Sequence, residues 1–301
     1  MSAMPVARRS DSAFGFDHNA RARLARRLSR VFLYLAMVLI VFVVAFPLFW
    51  MVSNSFKPKT EIYVQPPTLL PMVWTLQNYL DLFALTKFGY YYRNSIIVAT
   101  CATVLAITVG SLAAYALTRF RLLGFSLYLR VILFTYMLPS VLLMIPLYIL
   151  AVDVGLQDTL LALIIANSTG ALPFTIWLLR SYFATIPVEL EEAAMIDGCG
   201  RLQAFMRVVL PIAIPGIIAT SLFAFTAAWN EFLYALVFIN TDDLRTLPVG
   251  LLSWVGKGDS QMDVWSMLLA AAVLTTAPVL VFYGLVQRHL VVDLSAGGSK
   301  S

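Results

Sequence analysis

Apolar residues in this chain are gathered into six long runs, at about 31–52, 93–117, 130–150, 160–180, 208–239 and 264–287. A helix needs roughly 20 residues to cross a bilayer core of about 30 Å, and each run meets that length. The fifth exceeds it, which implies a tilt, a bend or a projection from the bilayer. Composition agrees: 60% of the 301 residues are hydrophobic and 12% are charged, against roughly 25% charged in a soluble domain. That excludes a water-soluble enzyme built on one core, and equally a charge-rich disordered chain. The sequence reads as an all-α, polytopic membrane protein with six transmembrane helices. Pro139, Pro146, Pro173, Pro211, Pro215 and Pro278 lie in or beside the runs, where each is expected to kink its helix.

Basic residues orient the spans. Arg8, Arg9, Arg21, Arg23, Arg26, Arg27 and Arg30 crowd the first 30 residues. Placing that end in the cytoplasm puts both termini there and leaves 15 of the 21 Lys and Arg residues inside. The net charge of +5 therefore points to a membrane surface and not to nucleic acid. The first run is too long for a signal-peptide core and no A-x-A-like site follows it, so it is expected to stay as an anchor. The division is then a basic segment 1–30, a transmembrane domain 31–290 and a tail 291–301. Residues 53–92 and 240–263 become outer segments, the first an extended loop followed by an interfacial helix. Residues 181–207 become a long inner loop.

Chemistry-bearing motifs are scarce. Cys101, Cys199, His18 and His289 are too few and too scattered for a zinc or iron–sulfur site, so no metal is expected. The nearest approach to a phosphate-binding loop, Gly250 to Gly256-Lys257-Gly258, has the wrong glycine spacing and lacks the Ser or Thr. No nucleophile elbow or paired catalytic carboxylates occur. The chain is expected to be no enzyme and to hold no cofactor, so uphill transport must draw on ion coupling or a separate ATPase.

The inner loop carries the most information. Pro187 suits a first helical position, and Glu189, Glu191 and Glu192 favour the positive helix end that follows. Gly198 and Gly200 permit a tight turn. Leu202, Phe205, Met206 and Val209 then share one face of a second helix, and Leu210-Pro211 leads into the fifth span. Helical periodicity alone leaves two readings: a hairpin that caps the bundle, or a docking element.

Glu192-Ala193-Ala194, three residues, Gly198, nine residues, Val208, one residue, Leu210-Pro211 resembles the EAA motif of ABC importer permeases, with Val208 in place of isoleucine. Asp197, Phe205, Ala228-Trp229-Asn230-Glu231-Phe232, Leu247-Pro248-Val249-Gly250-Leu251 and the tail from Gln287 to Gly297 are similar to carbohydrate permeases of the maltose type. The tail departs at Asp293, where glycine is common, and in its Gly298-Ser299-Lys300-Ser301 ending. The resemblance covers residues from about 30 to the end. It implies the ABC type I importer permease fold in a cell inner membrane, and an assembly with a second homologous permease, two ATP-binding subunits that hold ATP and Mg, an extracytoplasmic solute-binding protein and a sugar substrate. Residues Glu191, Glu192, Ala193, Ala194, Asp197, Gly198, Phe205, Leu210 and Pro211 would then form the contact with the ATPase. Ala193 and Ala194 would allow close approach, and Glu192 would offer a charge to an arginine.

Glu231 is the one acid placed within a span. An intramembrane carboxylate costs about 2.5–3.5 kcal/mol on insertion scales, so it should face the bundle interior, beside Trp229 and Asn230. Those three, with Trp177 and Tyr136, are candidates for a substrate path, each against a plain packing role; Asn167 is a similar case. Trp254, Gly256, Lys257 and Gly258 are candidates for contact with the binding protein, against a merely solvated loop. Of three rivals, a structural membrane-assembly protein gives no reason for the spaced inner-loop pattern; the other two stay open. An ion-coupled transporter would show several intramembrane acids and inverted repeats; a permease for another solute, such as glycerol phosphate, would favour Arg or Lys lining the spans.

Overall fold

The computed structural model describes residues 16–120, 125–254 and 261–297, and its regular structure there is helical. Four helices each hold a stretch long and apolar enough to cross a membrane: Arg27–Ser55, Phe88–Arg119, Leu160–Phe183 and Val264–Gln287. Two bent pairs complete six when each pair is taken as one crossing. In chain order the helices are α1 (Phe16–Ser55), α2 (Lys59–Ile62), α3 (Gln77–Leu85), α4 (Phe88–Arg119), α5 (Phe125–Met137), α6 (Ser140–Asp153) and α7 (Leu160–Phe183). Then come α8 (Glu189–Ile196), α9 (Arg201–Ala204), a π-helical turn (Phe205–Val209), α10 (Leu210–Ile212), α11 (Ile214–Trp229), α12 (Leu233–Phe238), α13 (Leu247–Leu252) and α14 (Gln261–Gly297).

The centre of the bundle is the α4–α7 pair. Small residues explain it. Ala99, Ala102, Ala106, Gly110 and Ala114 recur every three or four positions on the buried side of α4, so the two backbones can approach closely. A Cβ added to Gly110 would sit 2.5 Å from Cγ2 of Thr175 on α7, and Ser168 Oγ on α7 lies 3.2 Å from Ala102 O while donating to Ile164 O of its own helix at 2.6 Å. Thr159 caps α7 by accepting from Ala162 N at 3.3 Å. α11 lies against both helices, and at Gly216 an added Cβ would meet the Tyr182 ring at 2.5 Å. α1, by contrast, exposes nearly every side chain from Arg27 to Phe49 and leans on α14.

Two expected spans are interrupted. The run 130–150 divides at Leu138-Pro139, where α5 and α6 meet at 98°; proline excludes its predecessor from helical geometry and caps the next helix. The run 208–239 is three helices, not one. The helical run ending in α10 meets α11 at 78° across Ala213, between Pro211 and Pro215, and a second break at Asn230–Phe232 separates α11 from α12. Pro146, Pro173 and Pro278 instead run inside continuous helices.

The presumed outer segments are more ordered than loops. After α1, Lys57 is buried with its Nζ on Asn54 Oδ1 (3.0 Å) and Thr68 O (2.5 Å), and Glu61 accepts from Thr68 Oγ1 and Met72 N. Asn78 on α3 donates to Ser55 O and Lys57 O. α3 is the helix expected after the extended stretch. Within 240–263, α13 packs into the core, with Leu247 and Val249 buried, which the expectation of a solvated loop did not include.

Candidate functional site

The α8–α9 pair bears out the expected helix, glycine turn, helix. α8 begins at Glu189, two residues after Pro187, with Val188 as its cap; Pro187 precedes the helix instead of opening it. The helix ends in a Schellman closure: Gly198 N donates to Met195 O (3.1 Å) and Cys199 N to Ala194 O (3.0 Å). Gly198 takes φ +91°, which side chains strongly disfavour, and no atom lies within 4 Å of where its Cβ would be. Gly200 has an ordinary negative φ and instead caps α9, its N–H bonded to Gln203 Oε1 at 3.0 Å.

The EAA residues divide by direction. Glu192, Ala193, Asp197 and Gly198 are exposed, as is Ile196, at 86% the most open large apolar side chain among the described residues. Ala194 is half-buried. Glu191 points the other way and is buried. One carboxylate oxygen takes Arg119 Nε at 2.6 Å and the other takes the Tyr115 hydroxyl at 2.7 Å. Arg119 Nη2 also donates to Ile186 O at 3.0 Å and Phe183 O at 3.4 Å. Truncating one partner of a pair this buried typically costs about 3–5 kcal/mol, because the survivor is left charged and unmatched.

The single apolar face expected of the second helix is corrected. Phe205 and Val209 are buried, whereas Leu202 and Met206 are exposed. Phe205 and Val209 join the buried cluster of Tyr115, Leu179 and Phe183, and Leu202 and Met206 fall at the open edge of that arc; Phe205–Val209 itself is wound as a π-helical turn. Phe205 lies 4.5 Å from the Tyr115 ring and 6.1 Å from Phe183. Leu210 is half-buried and Pro211 exposed at the following bend.

The candidates for a substrate path fall into separate places. Tyr136 and Trp177, both exposed, flank Phe174 at 5.7 and 5.8 Å, and Phe223 lies tilted against Phe174 at 4.1 Å. Trp229 is buried in another cluster, 5.7 Å from Phe225 and 5.9 Å from Tyr92. Asn230 is exposed and bonds back to Thr226 O. Glu231 caps α12, accepting from Tyr234 N (2.7 Å) and Ala235 N (3.1 Å). Its carboxylate is thus engaged by backbone at a helix break. Asn167, buried on α7, bonds Leu163 O one turn back.

At 240–254 the polar side chains converge on the start of α4. Lys87 pairs with Asp242 (3.0 Å) and Asp243 (2.6 Å), and Arg245 with Asp242 (2.9 Å). The two aspartates hold the Lys87 ammonium's pKa above its ordinary value, the hydrogen bond to Asp243 most strongly. Tyr91 donates to Asp242, and Asn94 to the carbonyls of Asp243 and Arg245. Asp158, at φ +56°, receives Asn240 N, Thr241 N and the Thr241 hydroxyl; the Thr241 bonds hold its carboxyl below the usual range. Trp254 is half-buried beside Tyr91 and Phe88. Gly256, Lys257 and Gly258 lie outside the described residues.

Residues 106–295 match the family described as "Binding-protein-dependent transport system inner membrane component". The chain belongs to that family. Its match begins within α4 and spans the whole α8–α9 pair. Among similar proteins, the inner membrane ABC transporter permease protein YcjP of Escherichia coli (strain K12) is 39% identical over 277 residues, 91% of this chain and 98% of the relative. The diacetylchitobiose uptake system permease protein DasC of Streptomyces coelicolor is 35% identical over 256 residues, 85% and 91% of the two chains. The trehalose/maltose transport system permease protein MalG of Thermococcus litoralis is 34% identical over 276 residues, 91% and 98%. In fold, the chain is similar to one in a bacterial ABC transporter that imports the acidic polysaccharide alginate, with a TM-score of 0.78, 23% identity and 88% and 97% coverage.

The chain is therefore an inner-membrane permease component, a membrane subunit and not a catalytic one. Sequence reasoning missed Arg119 and Tyr115. The motif directs attention to 192–211, and nothing in spacing alone links an arginine 72 positions earlier to Glu191. A basic residue at the last turn of an apolar helix was the available signal.

Proposed function

We propose that this chain is the permease subunit of an ATP-driven importer for a carbohydrate, working by alternating access that separate ATP-binding subunits drive through α8. The observation that carries the reading is the exposed surface from Glu192 to Gly198, left open on one side and fixed from behind by a buried ion pair. A short helix held this way transmits a push better than a slack loop. Relatives named for diacetylchitobiose and for trehalose/maltose favour a saccharide over glycerol phosphate. A second permease, two ATP-binding subunits and an extracytoplasmic binding protein complete the proposed assembly, with both termini of this chain in the cytoplasm. ATP and Mg belong to the ATP-binding subunits. Within it, residues 31–290 form the membrane domain, 1–30 a basic inner segment and 291–301 the tail.

The test is reconstitution of the complex in lipid nanodiscs with its binding protein, followed by ATP hydrolysis across a panel of maltose, trehalose, diacetylchitobiose and alginate oligosaccharides. Stimulation by a saccharide-loaded binding protein is expected. Stimulation by glycerol phosphate alone, or by none of the panel in an intact complex, would overturn the carbohydrate assignment.

A further inference from the structure

We propose that Arg119, with Tyr115, is a positioning residue of the coupling step: it locks the α8–α9 pair to the end of α4, so that α8 and α4 move as one body. The inference rests on the functional reading above and names the internal link by which a push on α8 reaches the membrane helices.

The end of α4 holds both limbs of the pair. Arg119 and Tyr115 each take one oxygen of Glu191, at 2.6 and 2.7 Å, which fixes the rotation of the carboxylate as well as its position. Arg119 Nη2 also binds the carbonyls of Phe183 and Ile186, so the stretch leaving α7 is tied to the same guanidinium. On the other limb, the Tyr115 ring lies 4.5 Å from Phe205, and Arg201 stands over the Phe120 ring at 4.9 Å. The side chains of Arg119 and Glu191 are 9% and 4% exposed. An ion pair that dry adds little stability over an apolar pair of the same shape, but it has direction, and an apolar contact slides. Further along α4, the close approach of Gly110 to Thr175 passes any displacement on to α7. A side chain bonded to Glu191, the neighbour of Glu192 on the docking surface, thus decides whether closure of an ATPase tilts α4 or merely bends the 184–188 connection.

The experiment uses the complete reconstituted complex carrying Cys101→Ser and Cys199→Ser, with spin labels at Val188→Cys before α8 and Val104→Cys on α4. Both label sites are exposed. The distance between the labels is measured without nucleotide and after trapping with ATP and vanadate. With Arg119 intact the distance is expected to stay the same and its distribution narrow, while a second pair spanning this chain and an ATP-binding subunit changes. In Arg119→Met and Glu191→Ala the Val188–Val104 distance is expected to shift or broaden on trapping. Substrate moved per ATP hydrolysed is expected to fall about tenfold at equal complex yield, the size typical of a coupling between linked sites. Tyr115→Phe, which keeps the ring on Phe205 and removes one hydrogen bond, is expected to fall between and guards against variants that fail to assemble. A purely structural role would lower yield and thermal stability without changing the ratio or the trapped distance, and would overturn the proposal, as would identical distances in wild type and Arg119→Met. If instead the wild-type complex shows no nucleotide-dependent change at either label pair, the functional reading itself fails.

Discussion

The α8–α9 pair and the segment 240–254 are both fastened to α4, one at its last turns and the other at its first, yet by different means. At the last turns a few contacts are dry and directional: Glu191 sits between Arg119 and Tyr115, and Phe205 is clasped by two rings. At the first turns buried bonds lie beneath exposed charge: Asn94 binds the carbonyls of Asp243 and Arg245 and Ser95 Oγ accepts from Leu247 N, while the Lys87, Asp242 and Asp243 ion pairs above them are near half-exposed. Buried pairs resist displacement and are barely screened, whereas exposed ones are worth little and weaken with salt. On the coupling proposed above, one end of the bundle transmits motion through a single buried ion pair, while the other holds a surface in place by a packed contact with an exposed charge network over it.

The largest expected effect breaks the transmitting end. Gly198→Asp puts a side chain at φ +91° and a charge on the open surface; transport is expected to vanish and the ATP-binding subunits to leave the membrane fraction, with Glu192→Lys acting the same way less completely. Normal uptake in both variants would remove the distinction. Next comes packing at the holding end. Gly250→Val drives its new side chain into the Tyr91 ring, and such overpacking costs about 1–3 kcal/mol. A lower melting temperature is expected, with substrate moved per ATP unchanged, in contrast to Arg119→Met.

A smaller effect concerns acid. The Asp158 carboxyl lies below its usual range because Thr241 and Asn240 bond its charged form. Its contribution to stability is therefore complete above the unfolded value of about 3.9 and is lost as pH falls through the lower folded value. Asp158→Asn should lower the melting temperature at neutral pH, where that contribution is complete, and bring the two proteins together at strongly acid pH, so that the acid limb below about pH 4 is flatter. The smallest effect is Lys87→Met: a slight loss of stability at low salt that disappears at high salt, where the ion pairs with Asp242 and Asp243 are screened. A loss of the same size at both ionic strengths would show that this end is not held by exposed charge.

Much of the fold was legible because hydrocarbon imposes one solution on a long apolar run. The six runs, the helix–turn–helix at 189–204 and the left-handed glycine at 198 all follow from local chemistry. What was not legible depends on neighbours. Proline kinks were expected at six positions, but whether a proline breaks a helix or is absorbed depends on what refills its lost hydrogen bond, so Pro139 breaks a span and Pro173 does not. Leu202 and Met206 share the helical stripe of Phe205 and Val209 but lie at its open edge, because periodicity gives a direction and not the width of the arc that neighbours cover. An acid within an apolar run is expected to face the bundle interior beside Trp229 and Asn230; what engages Glu231 is the backbone of α12, visible only once the break at 230–232 is known. The Arg119–Glu191 pair joins positions 72 apart, and only folding brings them together.

Ile196 exposes most of its surface at the tip of α8 and so gives this fold almost nothing. On the proposed docking, this apolar group is covered by the ATP-binding subunit. Genetic suppressors of a charged replacement at 196 should accordingly map to the gene for the ATP-binding subunit and not to this one, and the two genes should drift as a matched set.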